Sequence, residues 1–144
     1  MASLTLYNYF KTIQFNDPID FDNDTIKLAL CSSSYSPDAS THQTYSDLTD
    51  EITGSTGYTT GGGRIENFTV TQSNSISGSI IDADDRSFAS LTTNNNVKYG
   101  IIYKSSGNKK LIGYVTFDDT VGVTNGTLTI SWNATGVFTA TSTV

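Results

Sequence analysis

One cysteine, one histidine, one tryptophan and two prolines occur among the 144 residues of this chain. A single cysteine, Cys31, excludes an internal disulfide framework. His42 is the only histidine, and a zinc site needs more His and Cys than the chain owns. Any Ser-His-Asp or Cys-His nucleophilic system would have to use His42, which lies in the polar stretch SPDASTHQTYSD; no Gly-x-Ser-x-Gly elbow is present. Cys31 follows an inward leucine and reads as a small packing residue. Basic residues are also few: eight Lys and Arg face fourteen Asp and Glu, a net charge of −6. Such a chain is a poor phosphate binder, so neither nucleic acid nor an anionic membrane is an expected partner. No segment is long and apolar enough to span a bilayer, and the opening MASLTLYNYF has no signal-peptide pattern. Synthesis and folding in a cytoplasm are therefore expected. The Asn-x-Ser/Thr triplets at Asn23, Asn67, Asn125 and Asn133 then read as accidents of composition. Gly61-Gly62-Gly63 lacks the Lys-Ser/Thr of a phosphate loop.

What is abundant is Ser and Thr, roughly 28% of the chain. Thr, Val, Ile, Tyr and Phe outweigh the helix formers, which favours pleated, half-buried strands. The length suits one domain, 1–144. Val97–Asp118 is the clearest element: two alternating runs flank a short Ser-Gly-Asn-Lys connection, a β-hairpin pattern. Pairing Lys104 with Lys110 puts Tyr103 opposite Leu111, Tyr99 opposite Val115 and Val97 opposite Phe117, all on one face. Ile101 then covers Gly113, and Tyr114 covers Gly100. Thr25–Ser32 reads as a strand with Ile26, Leu28 and Leu30 inward. Further strands are expected at Arg64–Gln72, Ser75–Asp82, Gly126–Trp132 and Gly136–Thr143, with Asn133–Gly136 as a hairpin loop between the last two. The expected fold is mainly β: an antiparallel β-sandwich with a short N-terminal helix and a long irregular loop.

The helix is placed in residues 1–16, where Leu6, Tyr9, Phe10 and Ile13 recur at helical spacing, although the same residues could form a strand. The loop is 33–63, polar and glycine-rich. It reads either as an ordinary surface loop or as an arm that contacts a partner. A helical turn is expected within Ser46–Ile52, capped by Ser46, with Leu48 and Ile52 on one face.

Few residues suggest chemistry. Asp20, Asp22 and Asp24 repeat carboxylate spacing of a calcium loop, but Thr25 stands where the turn needs glycine and Cys31 where it needs glutamate. Asp82, Asp84 and Asp85 are candidates for a hard cation; turn chemistry is the competing reading. No catalytic set and no cofactor are expected. Tyr35, Tyr45 and Tyr58 lie in polar loop sequence, and Leu6, Tyr7, Tyr9 and Phe10 crowd the N-terminus. These seven are the candidate partner-contacting residues, by interface burial or by stacking on a sugar ring. Packing onto their own domain is the alternative.

Several segments carry a family pattern: ASLTLYNYF, DFDNDTIKLALCSSSYSPDASTHQTYSDLTDEITGSTGYTTGG, ADD followed by SFASL, VKYGIIYK, LIGYVTFD and ISWNATGVFTAT. Together they resemble small virion-associated proteins encoded near the capsid genes of tailed bacteriophages. The resemblance covers nearly the whole chain and names no chemistry. It implies a structural role on the virion as a capsid decoration (cement) protein, with the major capsid protein as partner. A homo-oligomer, such as a trimer, would suit capsid symmetry. A tail or head-fibre module recognising host-surface carbohydrate is the other reading.

Overall fold

The computed structural model describes residues 3–53, 56–93 and 96–141. The chain order is β1 (Ser3–Leu6), α1 (Asn8–Ile13), β2 (Ile26–Ser32), a 3-10 turn (Tyr45–Asp47), β3 (Gly63–Arg64), β4 (Thr69–Ser73), β5 (Gly78–Asp82), β6 (Arg86–Leu91), β7 (Val97–Lys104), β8 (Leu111–Val121), β9 (Gly126–Ile130) and β10 (Phe138–Thr141). All pairings between these strands are antiparallel. A five-stranded sheet runs β1-β8-β7-β2-β3, a three-stranded sheet runs β10-β5-β4, and β6 pairs with β9. The fold is mainly β, as the composition implies.

Strand β2 shows how the sequence sets the layers. Ile26, Leu28 and Leu30 point into the main core with Val97, Ile102 and Ile112. That core is closed by Ile81 of β5, Phe88 and Leu91 of β6, Ile130 of β9, and Phe10 and Ile13 of α1. Each fully buried aliphatic side chain contributes about 1.5–3 kcal/mol by leaving water. The opposite face of β2 carries the small Ala29 and Cys31, and it too is fully buried. Their size leaves room for rings: Tyr7, Tyr35 and Tyr103 pack there with Ile101 and Leu111. The five-stranded sheet is therefore covered on both sides, one by the smaller sheets and α1, the other by loop tyrosines.

Four local expectations need correction. The N-terminal segment is strand then helix: β1 pairs with β8, and only Asn8–Ile13 is helical. The hairpin register holds at Tyr103 opposite Leu111, then shifts by one, so Ile102 faces Gly113, Ile101 faces Tyr114, Val115 faces Gly100 and Tyr99 faces Thr116. A second shift puts Val97 opposite Val121. The physical gain is two-sided burial. The bulge sends Ile112 into the main core while Tyr114 joins Tyr99 on the other face, their ring centroids 6.3 Å apart. The Asn133–Gly136 turn does not join sheet neighbours, because β9 pairs with β6 and β10 with β5. It carries the chain from one small sheet to the other. Finally, the helical turn begins earlier, at Tyr45, and Asp47 accepts from the N–H groups of Gln43 (2.8 Å) and Thr44 (3.0 Å). Leu48 and Ile52 pack on opposite faces of the sheet. Gly54 and residues 142–143 of the last expected strand lie outside the described residues.

Candidate functional site

The described residues of 33–63 are bound to the chain's own sheet. The Ser32 N–H donates to the Asp50 carbonyl, Ile52 to Leu30, Tyr45 to Lys109 and Leu111 to Gln43. Tyr35 is 2% exposed, and its hydroxyl lies 3.1 Å from that of Tyr7 and 2.9 Å from His42 Nδ1. The Asp38 N–H also donates to that nitrogen. Nδ1 therefore accepts, Tyr35 donates to it, and Tyr7 donates to Tyr35. Burial pushes the Tyr7 hydroxyl above its ordinary value and raises Tyr35 to about 12. Glu51 is the second anchor. It accepts from Tyr45, from the Tyr58 hydroxyl (2.6 Å) and from the Gly61 N–H (2.6 Å). Tyr58 in turn accepts from the Leu30 N–H, and Tyr103 donates to the Gly61 carbonyl.

This arrangement corrects part of the partner-contact expectation. Tyr7 and Tyr35 are buried inside the chain's own second core, so their side chains offer no free surface. Phe10 is 4% exposed and belongs to the main core. Its hydrophobic transfer out of water is already complete, so it offers a partner at most a floor. Leu6, Tyr9, Tyr45 and Tyr58 are half-buried against the two cores. The cause is that polar loop sequence flanks the loop tyrosines without exposing them: Tyr35 and Tyr45 pack on the Ala29 and Cys31 side, Tyr58 packs on the main core beside Phe88, and their hydroxyls find acceptors in His42 and Glu51.

The nucleophile and metal candidates are likewise engaged. Cys31 is fully buried, and burial raises its thiol to about 12. Asp82 accepts from the Ala83 N–H, Asp84 from the Asn67 amide and Asp85 from the Trp132 N–H. These three carboxylates diverge to separate partners. Among the described residues no group of three His, Cys, Asp or Glu is placed to hold a metal. Asp20 accepts from the Asp22 N–H and the Asn23 amide, while Asp24 pairs with Lys104 at 3.2 Å.

Exposed apolar surface points elsewhere. Among the described residues, Phe15 (93% exposed) and Val70 (52%) are the large hydrophobic side chains left in water. Both line one groove of about 650 Å³, between α1 with the turn after it, the 19–22 segment and the β10-β5-β4 sheet. Phe10, Phe21 and Phe138 form its floor, with ring centroids 5.6–6.1 Å apart in edge-on contacts. Lys11 stands on one wall and Asp20 and Asp22 on another. Phe15 is held out on a pinned turn. Its N–H donates to the Thr12 carbonyl, and Gln14 Oε1 accepts from the Ile19 N–H at 2.7 Å. The next residues are tied down by the pair between Asp17 and the buried Lys110. The groove's chemistry is apolar recognition with charges of both signs at the rim.

Sequence reasoning missed Phe15. The signal was present: the periodic face of α1 carries Phe10 and Ile13, and Phe15 falls off that stripe as an apolar residue with no inward position.

No family model, curated protein or solved structure matches this chain.

Proposed function

We propose that this chain is a structural protein of a tailed-bacteriophage virion, seated on the capsid surface as a decoration protein that bridges major capsid subunits. The observation that carries the reading is the family pattern of the sequence, which runs over nearly the whole chain; the exposed Phe15 and its groove add an apolar surface built for protein contact. Monomeric proteins rarely leave such surface in water unless it docks. The sequence resemblance supplies the partner. The segments that carry it include β2, β7 and β8, which form the framework of the five-stranded sheet. A decoration protein stabilises a shell through many modest contacts that act together. The acidic surface, −6 overall, suits attachment to protein rather than to nucleic acid.

The test is add-back to purified mature capsids that lack the protein, followed by heating. Saturable binding at a count matching the capsid lattice, with rupture shifted to higher temperature, supports the reading. Absence of binding overturns it.

A second groove of about 320 Å³ favours the carbohydrate reading as the alternative. It sets Trp132 and Phe117 beside Asn133 and Ser131, an aromatic surface with amide and hydroxyl groups suited to a sugar ring. A glycan array separates the two: a specific glycan hit without capsid binding assigns the chain to host recognition.

A further inference from the structure

We propose that the apolar groove receives the Phe15 turn of a second copy of this chain, in a two-fold pair where each copy supplies both knob and hole. The inference stands on the groove rather than on the capsid assignment, and its test needs no capsid.

Self-complementarity carries the proposal. A two-fold interface uses the same patch twice, so that patch must contain both halves of every contact. Here it does. Phe15 projects from the rim of a groove whose floor is Phe10, Phe21 and Phe138, and whose opposite wall carries the exposed Val70. The rim also carries both signs of charge, Lys11 on α1 and Asp22 on the 19–22 segment. The proposed pairing sets Lys11 of one copy against Asp22 of the other, a contact that a two-fold axis makes twice. A docking peptide would need the hole alone and would leave Phe15 unexplained. The pinned turn lowers the ordering cost of presenting a large side chain. An aromatic anchor entering an aromatic pocket is the usual form of an interface hot spot.

The experiment is sedimentation equilibrium of the full chain from about 1 µM to about 100 µM, the range where a single-anchor interface titrates. The expected result is a mass rising from 15.5 kDa to twice that value. Phe15→Ser, at an exposed site, keeps the wild-type circular dichroism and Tm and weakens association by about 100-fold or more. Lys11→Asp weakens it as well, and Lys11→Asp combined with Asp22→Lys restores most of it, because the swapped charges meet again across the axis. A chain monomeric throughout, or an oligomer indifferent to Phe15→Ser, overturns the proposal. A trimer overturns the two-fold arrangement, as does failure of the charge swap to restore pairing. Loss of capsid binding by Phe15→Ser with self-association unchanged assigns the groove to the capsid protein and overturns the pairing alone.

Discussion

Replacing Glu51 tests whether the polar 33–63 segment is part of the folded body. Its carboxylate accepts from the Tyr58 hydroxyl and the Gly61 N–H, both at 2.6 Å, and from Tyr45. Hydrogen bonds to an ionised acceptor contribute about 1.5–3 kcal/mol each. The Tyr45 hydroxyl is the more open of the two tyrosine hydroxyls, and water can replace its bond. Tyr58 and Gly61 sit beneath the loop against β2, where the Leu30 N–H also relies on Tyr58. Two lost bonds give about 3–6 kcal/mol, and their sharing of one carboxylate brings the expected loss for Glu51→Ala to the low end, about 3 kcal/mol. For a domain of this length that is a fall in Tm of about 10 °C. Urea unfolding followed by circular dichroism reads the loss directly. Tyr58→Phe costs about 1–2 kcal/mol, and the double mutant costs less than the sum, since the two residues share a bond. Glu66→Ala breaks only the exposed pair with Arg64 and costs under about 0.5 kcal/mol. A Glu51→Ala loss below about 1 kcal/mol, no larger than that of a surface pair, would refute the reasoning.

Alkali unfolds the protein steeply. Tyr7, Tyr35 and Tyr103 are nearly fully buried, and burial raises all three above the ordinary 10.0. They stay protonated in the folded state while their unfolded counterparts ionise. Their stability is therefore complete below pH 10 and is lost as pH rises toward 12, by about 1.4 kcal/mol per pH unit for each group. Chemical denaturation at stepped pH measures the slope, and a flat profile from pH 10 to 12 contradicts it. The buried Lys110 makes asymmetric predictions: Asp17→Ala removes the counter-charge and leaves its ammonium only the carbonyl of residue 17, so it lowers Tm more than Lys110→Met, which removes the charge and keeps the packing. The hydrogen bond from Lys110 lowers the Asp17 pKa below 3.8, so the stability it brings is present above pH 3.8 and lost as pH falls through the lowered value. Thermal melts of the pair across acid pH check both the order and the window. Gly62→Ala meets the Leu28 carbonyl oxygen at 1.7 Å from a backbone at φ +79°, and costs about 3 kcal/mol or more. Gly107→Ala, at φ +60° with open space, costs about 1 kcal/mol by the same denaturation assay.

The parts of the fold legible in the sequence are those governed by strict alternation. Ile26, Leu28 and Leu30 face the core as their spacing requires, and Leu128 and Ile130 of β9 also pack toward it. Alternation failed where the backbone departs from it. The bulge at Ile112 lets residues 112 and 114 serve opposite faces, which period-2 reasoning forbids. Strand β6 was missed because Arg86–Leu91 breaks its own period, with Phe88 and Leu91 both inward across a register shift. Sequence alone leaves the loop tyrosines open between an arm and self-packing for a different reason. Flanking polarity reports what neighbouring residues touch, and here it satisfies the hydroxyls of buried rings. The groove depends on long-range assembly of α1, the 19–22 segment and β10, and only Phe15 advertised it locally.

Hydrogen exchange on the free protein tests the central claim most directly. The described residues of 33–63 pack on the chain's own sheet, Tyr35, Tyr45 and Leu48 on one face and Ile52 and Tyr58 on the other, and docking is left to the groove. Slow exchange is expected at the N–H groups of Tyr45, Ile52 and Gly61, which donate to Lys109, Leu30 and Glu51, comparable with that of the β2 and β7 amides. Exchange of these three at open-chain rates would contradict this packing, returning Tyr35, Tyr45 and Tyr58 to the role of an exposed arm.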